Sequence, residues 1–179
     1  MKNIIKGLLM AILLVGTSCS SKQSLQEYFV EHSENSNFLS VDLPVSLLNM
    51  DKVDLNEAER EALSSLKKMN VLAFKKNESN TLEFEAEKAN VKAILQNEQF
   101  IDLMKLNTKY GKGIIKYIGD DETIDEVIVY GDNDEKGFML IRVLGNNMKP
   151  ANLAQFMKTI QKSDYKGEGL ESIADFIKG

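Results

Sequence analysis

Few residues of this chain could do chemistry, because the sequence contains a single cysteine, Cys19, and a single histidine, His32. One histidine cannot build a zinc or iron site that needs several imidazoles. His32 lies on the edge of a predicted apolar helix stripe, which favours a packed side chain over a general base. Serines lie near it, but the chain has no Gly-x-Ser-x-Gly turn to shape a nucleophile. The sequence therefore predicts no catalytic residue and no enzyme.

The surroundings of Cys19 indicate a different use for its thiol. Two lysines, Lys2 and Lys6, precede the apolar run Leu8–Val15, and small residues ending at Ser18 stand before Cys19. This is the three-region layout of an export signal. The segment resembles a bacterial lipoprotein signal. That resemblance implies cleavage between residues 18 and 19, a diacylglyceryl group on the sulfur, and a further acyl chain such as palmitate on the new amino terminus.

An alternative is an uncleaved membrane anchor with an idle thiol at Cys19. The eight residues of Leu8–Val15 are too few for this, because a spanning helix needs about 20 apolar residues. We therefore expect residues 1–18 to be a cleaved signal peptide, residues 19–24 a short lipidated tether, and residues 25–179 a single α+β domain.

The charge balance limits the partners. The chain has 22 basic and 27 acidic residues, and loss of Lys2 and Lys6 with the signal makes the remainder more acidic. Proteins bind nucleic acids and anionic lipid surfaces through clustered Lys and Arg side chains. We therefore expect no nucleic-acid partner. The expected partners are the membrane, through the lipid on Cys19, and an envelope protein.

One acidic segment, residues 132–137, begins like a calcium-binding loop. Carboxylates stand at its first and third positions, but Lys136 occupies the fifth and Val143 the twelfth, where that loop needs oxygen ligands. This excludes the EF-hand. A looser cation site formed by Asp132, Asp134 and Glu135 is an alternative to a solvated hairpin tip, which is the simpler interpretation. We expect no bound metal and no cofactor.

Two further segments invite chemical interpretations that their spacing does not support. The carboxylates of residues 120–126 are neighbours on one turn, not two groups that flank a glycosidic bond. The segment 110–113 is too short for a phosphate cradle, since no strand leads directly into it and no helix follows.

Hydrophobic periodicity predicts alternating helices and strands in the N-terminal half of the domain. Capping pairs, Asp54 with Glu57 and Asn80 with Glu83, are expected to begin two of the helices. The predicted helices are 24–33, 54–70 and 81–96, the predicted strands are 38–43 and 71–75, and a helical turn is predicted for 44–50.

The C-terminal half predicts an antiparallel meander, because four apolar runs alternate with short loops rich in Gly, Asp and Asn. The runs are 100–106, 113–118, 124–130 and 138–144. The last is apolar on both faces, which favours a central position, and Arg142 is its one charge. Two closing helices after Pro150 are expected to cover one sheet face. The fold class is therefore α+β: this meander plus one or two N-terminal strands, with helices packed mainly on one face.

This order of elements resembles a family of small lipoproteins from Bacteroides-like bacteria that is catalogued as a domain of unknown function. The resemblance depends chiefly on residues 97–145, where a helix end, four strands and the terminal Leu-Gly-Asn follow in turn. It implies a link to envelope stress or signalling, because genes of such proteins often stand beside those of extracytoplasmic-function sigma factors. It supplies no catalytic residue.

Two functional hypotheses follow. The first is a non-catalytic, lipid-anchored envelope protein whose sheet face or helix groove binds another protein. The alternative is a binder of a small molecule or cation, or less favourably a hydrolase, that uses the acidic hairpins. Ser20, directly after Cys19, is not the aspartate of inner-membrane retention, and residues 20–24 contain no acidic residue. We therefore expect the outer membrane, on its periplasmic side, rather than the cell surface.

Overall fold

The computed structural model describes residues 23–47, 53–108, 111–120, 122–153 and 155. These residues form an α+β fold in which a six-stranded antiparallel sheet combines with three α-helices and one short 3₁₀ helix. The elements are α1 Leu25–His32, β1 Phe38–Pro44, the 3₁₀ helix Val45–Leu47, α2 Glu57–Ser65, β2 Leu66–Lys75, α3 Thr81–Ile94, β3 Ile101–Thr108, β4 Gly111–Gly119, β5 Ile124–Asn133 and β6 Gly137–Met148.

The strand order is β1-β2-β6-β5-β4-β3, and every neighbouring pair is antiparallel. The C-terminal meander β3 to β6 is therefore confirmed, and the N-terminal hairpin β1-β2 joins it at β6. The central position predicted for the last strand is also confirmed, since β6 lies between β2 and β5.

One face of the sheet is covered by α1 and α3. Ser24 begins α1 with a capping box, because its hydroxyl accepts from the Glu27 amide while the Glu27 carboxylate accepts from the Ser24 amide. Side chains of the two helices and of the sheet form one hydrophobic core. The largest fully buried side chains of this core are aromatic or branched. That core comprises, among others, Tyr28, Phe29, Phe38, Leu72, Phe74, Phe84, Val91, Ile128, Phe138 and Leu140.

The opposite face carries three smaller apolar clusters. One gathers the α2 residue Ala62 with Val53 and Leu55, and another gathers Met69 and Val71 with strand residues of β1 and β6. The third includes Ile115, Tyr117, Ile124, Val127, Met148 and Leu153. Residues 150–153 have helical backbone, in agreement with the helix predicted after Pro150, whose continuation lies outside the described residues.

The predicted helix over 54–70 is too long. Helix α2 ends at Ser65, and Leu66 is extended at φ −80° and ψ 140°. Sheet pairing overrides the helical pattern here, because β2 pairs with both β1 and β6 and buries the continuous run Met69–Phe74. The strand predicted at 71–75 is consequently twice as long as expected.

Both predicted capping pairs are wrong in detail. Asn56, not Asp54, begins α2, and it forms a capping box with Glu59. Asn80 precedes α3 but makes no side-chain cap, because its amide is used elsewhere. Its oxygen accepts from the Asn77 amide at 2.8 Å, and its nitrogen donates to the Lys75 carbonyl at 3.0 Å. Asn80 thus ties the end of β2 to the start of α3.

No helix in the described segments is both long enough and apolar enough to cross a bilayer. The predictions for residues 1–18, for Ser18 and Cys19, for the tether and for the last helix fall on residues that the structure does not describe.

Candidate functional site

His32 is part of the packing between α1 and α3. Its ring stacks on Phe38, with ring centroids 4.6 Å apart, and its Nε2 lies 3.3 Å from Oε2 of Glu87. The hydroxyl of Tyr28, one turn earlier on α1, donates to the same Glu87 oxygen at 2.9 Å. Burial, together with the Glu87 carboxylate, raises the pKa of Tyr28 far above its ordinary value. These side chains join two helices.

The acidic hairpin between β5 and β6 lies beside α3. Lys88 contacts Asp132 at 2.8 Å and also pairs with Asp134, while Lys92 lies 3.7 Å from Asp132. Burial alone would lower the pKa of Lys88, but the hydrogen bonds to Asp132 and Asp134 outweigh it, so this pKa lies above its ordinary value. The structure thus brings Asp132 and Asp134 together around a lysine. Glu135 is exposed at the hairpin tip.

Within the described ranges, no group of three or more His, Cys, Asp or Glu side chains is arranged to hold a metal ion. In the other acidic segment, Oδ1 of Asp120 accepts from the amides of Glu122 and Thr123 at 2.9 and 2.7 Å. These hydrogen bonds lower the pKa of Asp120, and the bond from the Thr123 amide has the largest effect. Asp120 therefore stabilises the turn between β4 and β5.

A cleft of about 240 Å³ lies where α1 crosses the sheet, and we call it the groove. Helix α1 forms one wall, and strands β1, β2 and β6 form the floor. The lining residues are Gln26, Phe29, Val30, Ser33, Ser40, Asp42, Lys68, Asn70, Arg142 and Leu144.

The floor of the groove is part of a polar row across the sheet. Asp42 on β1 is opposite Asn70 on β2, and Asn70 is opposite Arg142 on β6. The register continues through Ile128 to Lys116 on β4. Because facing residues of antiparallel strands share one side of the sheet, these polar side chains lie on the same face as the buried aromatic core, at the end that α1 leaves open.

Arg142 is held in a fixed orientation. Its Nε donates to Oε2 of Glu126 at 2.7 Å, and its Nη2 donates to Oε1 of Glu126 at 2.5 Å, which is a two-point pair between β6 and β5. Its Nη1 donates to the side-chain oxygen of Gln26 on α1. The Arg142 and Glu126 side chains are only 13% and 19% exposed. Arg142 thus connects the groove floor with its helical wall.

Asp42 is the acidic counterpart on the other side of the groove. It accepts from Nζ of Lys68 at 2.8 Å and from the amide nitrogen of Asn70. The hydrogen bond from Lys68 keeps the pKa of Asp42 below its ordinary value, and Asn70 contributes in the same direction. Asp42 therefore has two donors within the fold, while 59% of its side chain stays exposed.

The groove is partly apolar, since Phe29 and Val30 line it beside the polar Gln26 and Ser33. Phe29 is buried, whereas Val30 on the same helix is 63% exposed and supplies an apolar group that a ligand in the groove can contact. Leu144 of β6 adds an apolar group on the floor. The groove therefore combines an apolar edge with charged groups at fixed positions, as binding clefts commonly do.

Sequence reasoning did not predict the groove, since its lining comes from α1, β1, β2 and β6, which are distant along the chain. One residue in the sequence did point to this region. Arg142 is the single charged residue in an apolar strand that was predicted to be central. A buried charge of this kind needs a partner, and Glu126 supplies it.

One protein-family model matches the chain. The family model described as "Domain of unknown function (DUF4252)" matches residues 28–156, a span that contains the described sheet and most of α1. No curated protein and no solved structure matches the chain.

Proposed function

The chain belongs to the DUF4252 family, whose model covers more than half of it, and on that premise we propose a non-catalytic, lipid-anchored binding module of the cell envelope. In this proposal the groove binds a segment of another envelope protein. Membership among small lipoproteins of Bacteroides-like bacteria, with a role in envelope stress or signalling, is part of the same proposal.

The groove is the observation that carries the proposal. His32, Asp120, Asp132 and Asp134 all have structural roles, as pairs or turn contacts within the fold. In the groove, by contrast, Val30 is largely exposed beside ordered polar groups. An exposed aliphatic side chain next to a rigid polar floor favours recognition of a peptide segment, which offers both apolar and polar groups.

The proposed anchor would keep the groove close to a membrane. Helix α1 begins directly after Ser24, five residues beyond Cys19. An extended chain spans roughly 3.5 Å per residue, so acylated Cys19 could lie no more than about 18 Å from Ser24, the residue before α1. With several acyl chains the attachment would be persistent. We therefore propose a partner that is itself in or near the outer membrane, on the periplasmic side.

The acidic composition supports a protein partner over a nucleic acid. The chain carries a net charge of −5, whereas nucleic-acid binding depends on clustered cations that contact phosphates.

Site-specific crosslinking in cells tests the groove. A photoreactive amino acid is placed at Val30, on the groove wall, and in a second strain at Leu82. Leu82 is 89% exposed on α3 and lies outside the groove, so it is a matched aliphatic control. We expect a discrete crosslinked product from position 30 and none from position 82. Equal products from both positions, or none from position 30 under several growth conditions, would contradict the proposed binding role.

Intact-mass analysis of the same strains tests the anchor. We expect the mature chain to begin at Cys19 with acyl groups attached, and Cys19→Ala to release the protein from the membrane fraction. An unmodified sulfur at Cys19 would contradict the anchor, while the crosslinking result would still report on the groove.

A further inference from the structure

We infer that the groove recognises a carboxylate of the bound segment, and that Arg142 is the residue that receives it. This inference deepens the proposed binding function and rests on it. The carboxylate could belong to an acidic side chain or to a chain terminus, since both offer the same two oxygens.

Two hydrogen-bond donors of Arg142 have no partner among the described residues. A guanidinium carries five N–H groups, and the bonds to Glu126 and Gln26 use three of them. The remaining two lie on the terminal nitrogens Nη1 and Nη2. Since Arg142 lines the groove, a ligand in the groove can reach this edge of the guanidinium.

The contact to Gln26 is the one that a ligand would replace. Gln26 offers Nη1 a neutral amide oxygen from the groove wall. A carboxylate adds a Coulombic attraction to the guanidinium that a neutral amide oxygen lacks, and its two oxygens can accept from two N–H groups at once. The two-point pair with Glu126, on the far side of the guanidinium, would remain in place and hold the orientation of Arg142.

Each cation at the groove has an acidic partner, Lys68 with Asp42 and Arg142 with Glu126. Lys68, 46% exposed at the rim, and Arg142 are the cationic lining residues, and Asp42 is the anionic one. Asp42 accepts from Lys68 and Asn70, so a carboxylate at Arg142 would not lie beside an unpaired anion. The formal charges thus cancel, and the preference for a carboxylate depends on the N–H groups of Arg142 that Glu126 and Gln26 leave unused.

The size of the groove restricts the ligand to a short segment. Sites for drug-sized molecules occupy roughly 300–1,000 Å³, whereas the groove encloses about 240 Å³. A glutamate side chain or one terminal residue fits such a volume. Its methylene groups would contact the apolar lining residues Phe29, Val30 and Leu144.

Three acetylated tripeptides serve as probes of the full chain, purified in neutral detergent. The first is Ala-Glu-Ala amide, the second is Ala-Gln-Ala amide, and the third is Ala-Ala-Ala with a free carboxylate. Binding is followed by the NMR signal of the Arg142 side-chain N–H and by calorimetry. We expect at least one acidic probe to bind about tenfold more tightly than the glutamine probe and to shift the Arg142 signal. The stronger of the two acidic probes identifies the source of the carboxylate.

Variants separate recognition from folding. Arg142→Met combined with Glu126→Gln removes the guanidinium without leaving a buried carboxylate unpaired, and we expect it to abolish the preference for acidic probes. Lys116→Met with Asp102→Asn removes another ion pair of the same sheet face outside the groove, and we expect it to bind like the unmodified chain. Glu126→Gln alone reduces the competing charge on Arg142, and we expect it to strengthen binding severalfold. Circular dichroism verifies that each variant is folded.

Equal affinity for glutamate and glutamine probes, no binding of either acidic probe, or unchanged binding by the folded Arg142→Met/Glu126→Gln variant overturns the inference. If the probes fail while position 30 still crosslinks to a partner in cells, the binding function stands and only the carboxylate is wrong. If both fail, the proposed function fails with it.

Discussion

The hydroxyl of Tyr28 donates a hydrogen bond of 2.9 Å to the carboxylate of Glu87, and this bond joins α1 to α3 above the aromatic core. It fixes the position of the helix that forms the groove wall. The stability of this contact therefore bears on the geometry of the groove.

Tyr28→Phe should destabilise the fold. The change removes a donor from a carboxylate that is only 18% exposed, and a bond to a charged acceptor contributes about 2 kcal/mol. Tyr130→Phe is the matched control. The Tyr130 hydroxyl is buried and makes no well-formed hydrogen bond among the described residues, although burial and the neighbouring Asp132 carboxylate raise its pKa, so its removal should cost less than that of the Tyr28 hydroxyl. Urea unfolding of the two variants measures the contrast, and equal losses of stability would contradict it.

Lys88→Met should also destabilise the fold. It leaves Asp132, 13% exposed, without its nearest cation, at a cost of roughly 2 kcal/mol because Lys92 remains nearby. Lys149→Met removes an exposed pair with Glu61, whose side chains are more than half exposed, and should change the melting temperature little. Thermal unfolding of both variants is the measurement. A large effect at Lys149 or none at Lys88 would be contrary to this assignment.

Stability should fall in acid. Lys68, Lys116 and Lys88 hold the pKa values of Asp42, Asp102 and Asp134 below their ordinary value of 3.8. A carboxyl whose pKa is lowered by folding stabilises the native state above its unfolded pKa and loses that contribution as the pH falls through its folded pKa. Urea unfolding between pH 6 and pH 2 should therefore show the loss below about pH 4. Asp42→Asn should make this part of the curve shallower, and an unchanged curve would exclude Asp42 as a contributor.

Calcium should not stabilise the unmodified chain. Asp132 and Asp134 both pair with Lys88, and a cation would have to displace that lysine to bind them. Millimolar calcium chloride should leave the melting temperature unchanged, with magnesium chloride at equal ionic strength as the control. A rise specific to calcium would support the alternative hypothesis that Asp132, Asp134 and Glu135 form a cation site.

Gly137→Ala should be strongly destabilising. Gly137 begins β6 at φ +128°, and an added Cβ would lie 1.9 Å from the carbonyl oxygen of Phe74. Backbone strain of this kind costs about 2 kcal/mol before the clash is included. Gly131→Ala on β5 is the control, because its Cβ would meet its nearest atom at 3.8 Å. Chemical denaturation should separate the two variants clearly, and similar midpoints would refute the strain at Gly137.

Hydrophobic periodicity predicted the helices and strands correctly wherever the local pattern fits only one type of secondary structure. The stripe of α1, the long helix α3 and the four runs of the meander were all correct in type. The prediction failed at residues 66–70, where a helical pattern continues from α2 but two strand partners are available. Burial against both neighbours outweighs local propensity there, and no local pattern contains that information.

The groove could not be predicted for a related reason. Gln26, Asp42, Asn70 and Arg142 have no characteristic spacing, and only the strand order brings them together. The sequence did mark Arg142 as an unusual charge in an apolar strand. It did not identify Glu126 as its partner, because that pairing depends on the register of β5 against β6.

The sequence by itself determined the α+β class, the antiparallel meander and the central place of β6, because these follow from the periods of two and 3.6 residues and from apolar runs. Tertiary structure alone decided the strand order, the extension of β2, the pairing of Lys88 with Asp132, and the groove. These depend on contacts between segments far apart in the chain, whose free energy comes from burial and charge pairing and leaves no local pattern.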